Sequence, residues 1–275
     1  MQAGLTYPGV GFGFGSALSK TASISAQTTV TTSGSNHTKG SWVELESSTD
    51  YAVHGFYLIM DAASTSATAQ RMLVDVGIGG AGSEVVLVPN ILVSSGTATD
   101  RINGGHHLYV PMYIPSGTRV AARAQVNTAA AKTLKMAIIF NYSGESLIPT
   151  FQKCDALGIT TGSTAGVSVT PGSGAYGSYT TIATISRGYS ALLVVAAIRD
   201  NNTSTNFLGI DVAFNRGSDT FLFRRAFSVS NNESVSWLST LMPHYSPVIA
   251  SDVLKARAWY STSTRSFDVA LYGFY

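Results

Sequence analysis

MLVDVGIGGAGSEVVLV, residues 72–88, returns later in the chain as FLGIDVAFNRGSDTFLF, residues 207–223, and that return decides the architecture. In the first copy Asp75 stands nine residues before Glu84; in the second Asp211 stands nine before Thr220. A Gly-Ser pair falls in the gap both times, at Gly82-Ser83 and Gly217-Ser218. Further out, Gly40-Ser41-Trp42 matches Gly177-Ser178-Tyr179, 35 residues ahead of the aspartate in one copy and 34 in the other. Ala122-Arg123-Ala124 matches Ala256-Arg257-Ala258, and LKMAIIFNY (134–142) matches FDVALYGFY (267–275), each with alanine fourth and tyrosine last. Four matches in one order at near-constant spacing define an internal duplication. A period this long means two domains of one fold, not a solenoid of short repeats.

Both copies read as strand after strand. Residues 73–78 alternate, with Leu73, Asp75 and Gly77 opposite Val74, Val76 and Ile78, and residues 119–126 alternate likewise. Turn chemistry punctuates them: Gly79-Gly80-Ala81-Gly82, the polar loop 96–105, and Pro115-Ser116-Gly117-Thr118. Such spacing predicts two all-β domains, each an antiparallel jelly roll or β-sandwich, at 24–142 and 166–275. Residues 143–165 read as a linker, with the helix-tolerant run 147–157 taken as an irregular connector. In the second copy, strands are expected over 234–242 and 248–249, among others.

Residues 1–23 read as an extended N-terminal arm. Its run YPGVGFGFG separates aromatics by glycines, the residues that lose most entropy on ordering. Tyr7, Phe12 and Phe14 are therefore expected to plug into a neighbouring subunit. The alternative is that the arm packs back on its own domain.

Composition excludes several function classes. Of the 275 residues only 12% are charged, and the net charge is +2, so no broad basic field exists to hold a nucleic-acid backbone. One cysteine, Cys154, excludes an intrachain disulfide framework. No run of about 20 apolar residues is present to cross a bilayer, and the N-terminus lacks the pattern of a secretory signal. A soluble protein without nucleic-acid or membrane partners is expected, and the glycosylation-like triplets at Asn36, Asn141, Asn201, Asn202 and Asn232 carry little weight.

Chemistry is equally sparse. His106-His107 are neighbours on a strand and face opposite ways, with no further ligand at metal spacing. No G-x-S-x-G nucleophile turn occurs, and GVGFGFG has neither a strand before it nor a P-loop lysine after it. Fifteen acids spread over two domains form no cluster. The expectation is no enzyme, no cofactor and no metal. The duplicated charges read instead as cross-strand ion pairs, Asp75 with Arg123 and Asp211 with Arg257, on the strand faces turned away from each domain's core; an interface role is the sharper alternative.

LVDVGIGGAGSEVVLVPN (73–90), VPMYIPSGTRVAARAQ (110–125) and a last strand ending in an aromatic together resemble the repeated jelly-roll modules of virion structural proteins of tailed bacteriophages. The resemblance covers residues 40–142 and 177–275; the second copy departs at Asn215-Arg216 and at residues 249–252. It implies a virion building block assembled in the host cytoplasm. In one form this is a capsid decoration or cement protein, a homo-oligomer with a trimer favoured, binding other virion proteins and its own copies. In the other it is a tail or fibre module with an exposed carbohydrate or receptor groove, for which Trp237, Trp259, Tyr260 and Asp268 are the candidates.

Overall fold

The computed structural model describes residues 12–14, 28–61, 70–95, 106–142, 149–198, 206–229, 235–237, 243–261 and 265–275. The first half runs β1 (Phe12–Phe14), β2 (Thr28–Thr31), β3 (Val43–Glu46), β4 (Val53–Asp61), β5 (Gln70–Ile78), β6 (Val85–Ser95), β7 (His106–Ile114), β8 (Val120–Val126) and β9 (Thr133–Asn141). The second runs β10 (Cys154–Leu157), β11 (Val167–Val169), β12 (Gly172–Ser173), β13 (Thr180–Thr184), β14 (Tyr189–Ile198), β15 (Asn206–Asn215), β16 (Asp219–Val229), β17 (Val235–Trp237), β18 (His244–Val248), β19 (Val253–Tyr260) and β20 (Phe267–Phe274).

These strands form four sheets. Sheet A is β2-β9-β4-β7, with β1 also on β9; sheet B is β3-β8-β5-β6. Sheet C is β11-β20-β14-β18, with β10 also on β20; sheet D is β13-β19-β15-β16-β17, with β12 also on β19. In each half the chain passes back and forth between the two facing sheets, staying in one sheet at its leading strands and along β5-β6 and β15-β16-β17, which is the jelly-roll path. Two tandem antiparallel jelly rolls are therefore the fold. Their registers coincide: Asp75 lies opposite Arg123, and Asp211 lies opposite Arg257.

The repeated glycine marker has a steric cause. Gly40 N–H donates to Ala124 O at 2.8 Å and Gly177 N–H to Ala258 O at 2.9 Å. A Cβ on either would sit 2.3 Å from a backbone oxygen, that of Thr31 or Thr170. Only glycine lets the incoming chain lie that close to the preceding strand. Alanine at either position is expected to cost about 1–3 kcal/mol through forced backbone displacement; denaturant midpoints should fall for both variants, and an unchanged midpoint for either would contradict the shared geometry.

The two sandwiches stack into four layers in the order A, B, C, D. The inner strands show it: β20 is buried at all eight positions and β14 from Ala191 to Ala197, whereas β19 on sheet D alternates buried and half-buried along its whole length. A strand buried on both faces has a sheet on either side. Tyr272 and Asp268, on β20, reach β6 and β5 of sheet B. One hydrophobic cluster consequently runs through both domains.

Two expectations change, and the third, the arm, lies mostly outside the described residues. The stretch read as a linker holds β10, hydrogen-bonded along β20 from Cys154↔Phe274 to Leu157↔Leu271, and a turn of 3-10 helix at Thr161–Ser163. Just before β10, Phe151 bridges in parallel to Met112 of β7, so the connection is tied to both domains. The strand expected over 234–242 contains β17, with 238–242 outside the described residues, and the one expected at 248–249 starts earlier, as β18. Of the arm, only β1 is described; its backbone pairs with β9 of its own domain, Phe12↔Asn141 to Phe14↔Ile139, and Tyr7 lies outside the described residues.

Candidate functional site

The duplicated aspartates are the most elaborate polar centres of the molecule. In the first domain Asp75 Oδ1 accepts from Lys39 Nζ at 2.8 Å and from the Asn90 amide at 2.9 Å, while Oδ2 accepts from Arg123 Nε at 2.9 Å. The Arg123 guanidinium lies 4.5 Å over the Trp42 ring. Burial lowers the Lys39 ammonium to about 8 even though Asp75 opposes the shift. In the second domain Asp211 is 0% exposed. Its Oδ1 accepts from Arg224 Nε at 2.6 Å and its Oδ2 from Arg257 Nη2 at 3.1 Å. Tyr176 covers both guanidinium groups at 4.7 Å, and Tyr179 covers Arg257. Burial pushes the Asp211 carboxyl up, but hydrogen bonds and charge from the two arginines outweigh it and hold the group below the usual carboxylate range.

Two expected pairs are thus in contact, each with an added cation, Lys39 or Arg224. Carboxylate oxygens occupied by fixed cationic donors are not presented to a substrate. What each carboxylate does is hold an aromatic-capped loop onto a sheet. Both carboxylates are buried, Asp75 at 3% and Asp211 at 0% exposure, by the residues that clamp them, and the face that carries Asp75 is in addition the one turned to the second domain. Removing one partner of such a buried pair costs far more than removing one partner of an exposed pair, because the other charge is left uncompensated.

The contact between the domains is polar at several points. Tyr272 Oη accepts from the Leu92 amide at 2.7 Å and donates to Asn90 O at 2.7 Å, so one hydroxyl replaces a neighbouring strand along β6. Arg71 Nη1 donates to the fully buried Asp268 carboxylate. Gln125 Nε2 donates to Thr161 O at 2.7 Å and Thr164 Oγ1 at 2.8 Å, and His37 Nδ1 lies 2.8 Å from the same Thr164 hydroxyl.

The four groove candidates do not come together. Trp259 is half-buried on the outward face of β19, but Tyr260, next in the strand, points the other way into the interior of the second sandwich. Asp268 lies between sheets B and C, not in a surface loop. The backbone of Trp237 lies in β17, opposite Phe227; its side chain is outside the described residues. Lys39, Arg71, Arg224 and Tyr272 were missed by sequence reasoning. The 39–40 spacing to the glycine marker could have exposed Lys39; nothing local marks the other three.

Among the described residues no three His, Cys, Asp or Glu side chains gather where they could hold a metal ion, and no helix is long and apolar enough to cross a membrane. His244 is the one strongly perturbed imidazole among them. It stacks on Phe223 at 4.2 Å, its Nε2 meets no hydrogen-bond partner among the described residues, and burial, aided by the Arg225 charge, lowers it to about 4 from 6.5. Between those two pH values the unfolded chain binds a proton that the folded chain refuses, so this group takes stability away as pH falls through the window. The melting temperature should drop less for His244→Phe than for the natural chain over that window; equal drops would contradict the assignment.

No family model and no curated protein sequence matches the chain. Solved structures with similar architecture include the cowpea mosaic virus top component, its naturally occurring empty particles, at 11% identity, covering 90% of this chain and 88% of that one with a TM-score of 0.39. PNGF-II matches at 8% identity over 90% of this chain and 65% of its own, with a TM-score of 0.42. The tandem CBM22 domains of Xyn10C from Paenibacillus barcinonensis match at 11% identity over 98% and 92%, with a TM-score of 0.29. At these identities and scores none of the three bears on what this chain binds or does.

Proposed function

We propose that the protein is a non-enzymatic structural component of a virus particle, a capsid decoration or cement protein that binds the shell and its own copies. The observation that carries this reading is the fusion of two jelly rolls into one four-layered block by buried hydrogen bonds and an ion pair. Such a block suits load-bearing better than turnover, because its duplicated buried aspartates are spent on internal clamps. Its outer surface favours association: charge is low, and Phe207, Phe221, Tyr245 and Ile249 are large apolar side chains left more than half exposed. A tail or fibre module binding host carbohydrate is the weaker reading, since of its four groove residues only Trp259 has a described side chain on an outward face. Immunogold labelling of intact particles from the source tests the choice. Label spread regularly over the capsid shell is expected; label confined to tails would favour the second reading, and particles free of the protein would overturn both.

A further inference from the structure

The junction between the two domains is built from parts that the chain possesses twice, and only one set is in use. Inside the chain, the residues just ahead of β10 dock on the outer edge of β7: Phe151 N–H donates to Pro111 O at 2.8 Å, and Tyr113 N–H donates to Phe151 O at 3.0 Å. The chain then enters sheet C as β10 along β20. The registers identify the second set. Phe12 pairs with Asn141 as Cys154 pairs with Phe274, and both partners are the eighth residue of the matched last strand, so β1 is the counterpart of β10. Val53↔Ile114 and Phe56↔Val110 correspond to Tyr189↔Val248 and Leu192↔His244, so β18 is the counterpart of β7, with Tyr245 in the place of Pro111. Among the described residues no strand lies on the free side of β18. Tyr245 is 64% exposed there and Ile249, at its end, 56%.

We propose that the free edge of β18 receives a second copy of this chain, through the residues just before that copy's Phe12, so that copies join head to tail as the two domains join within one chain. The same operation sets the outer face of sheet D on the outer face of sheet A, as sheet B is set on sheet C. Each face carries apolar side chains among its charged ones. On sheet D, Phe207 is 56% and Phe221 53% exposed. On sheet A, Tyr57 and Ile139 are half-buried neighbours on adjacent strands, with the buried Tyr109 on the other side of Tyr57. By register Phe207 stands where Arg71 stands, Lys135 where Asp268 stands and Ile139 where Tyr272 stands, so neither the ion pair nor the hydroxyl lock inside the chain is repeated between chains. The counterpart of Tyr113 is Pro247, which has no N–H, so the edge supplies one backbone hydrogen bond where β7 supplies two. Such a junction is heterologous: the rotation either closes into a ring, a trimer among the options, or continues as a filament. It stands on the duplication alone and holds whether or not the protein serves in a virus particle.

Sedimentation of the full chain and two variants tests it. The acceptor variant carries Tyr245→Lys and Ile249→Lys, and the donor variant lacks residues 1–10; a melting temperature within a few degrees of the natural chain's is the entry condition for each. The natural chain should form oligomers larger than a dimer or open chains, each variant alone should stay monomeric, and the two variants mixed should stop at a one-to-one dimer, because only one intact junction can form. A monomeric natural chain, a variant that assembles like it, or a mixture that stays monomeric would each overturn the proposal.

Discussion

Replacing Asp268 by alanine is expected to destabilise the whole chain by about 3–5 kcal/mol, the range for removing one member of a buried ion pair. Asp268 is fully buried between the second layer and the third, and the Arg71 guanidinium that it receives is itself largely covered. Without the carboxylate that cation is left in a dry interface with no compensating charge. The sequence distance between the partners makes the result informative: Arg71 lies in the first jelly roll and Asp268 in the last strand of the second, so a loss shared by both domains means that they unfold together. Chemical denaturation followed by tryptophan fluorescence, with Trp42 in one domain and Trp237 and Trp259 in the other, reads this out. A loss confined to one half, or a change below about 1 kcal/mol, the level typical of surface pairs, would contradict the buried-pair reading.

Tyr272→Phe removes a single oxygen and is expected to have the second largest effect. That oxygen satisfies the Leu92 amide and the Asn90 carbonyl at once. Phenylalanine keeps the packing and leaves two backbone groups of β6 without a partner, at about 1–3 kcal/mol for each buried group left unsatisfied. Hydrogen exchange at the Leu92 amide should accelerate by more than tenfold while amides of β4, in the outermost layer, follow only the global loss. A Leu92 amide as protected as before would mean that another group, or water, serves it.

The duplication was legible because strand pairing preserves it: the Asp75 and Asp211 repeats share a register with their arginines, and side chains two apart on a strand must share a face. What covers those faces was not legible. Alternation separates Asp75 from Val74 and Val76 but is silent on whether water or another sheet lies beyond, and here the second domain does. Strand β10 escaped notice because Cys-Asp-Ala-Leu is short and carries no period of its own; its partner β20 selects it through backbone groups. Trp259 and Tyr260 are the opposite case, since adjacent strand residues point apart and a shared groove was excluded by the period itself. The lock at Tyr272 joins residues 180 positions apart, beyond any local pattern.

The central claim is that two jelly rolls behave as one body because sheet B is fastened to sheet C. Differential scanning calorimetry of the intact chain tests it most directly. The account predicts one transition whose calorimetric and van't Hoff enthalpies agree. Two resolved transitions, each carrying about half the enthalpy, would mean that the interface is incidental and would contradict the account.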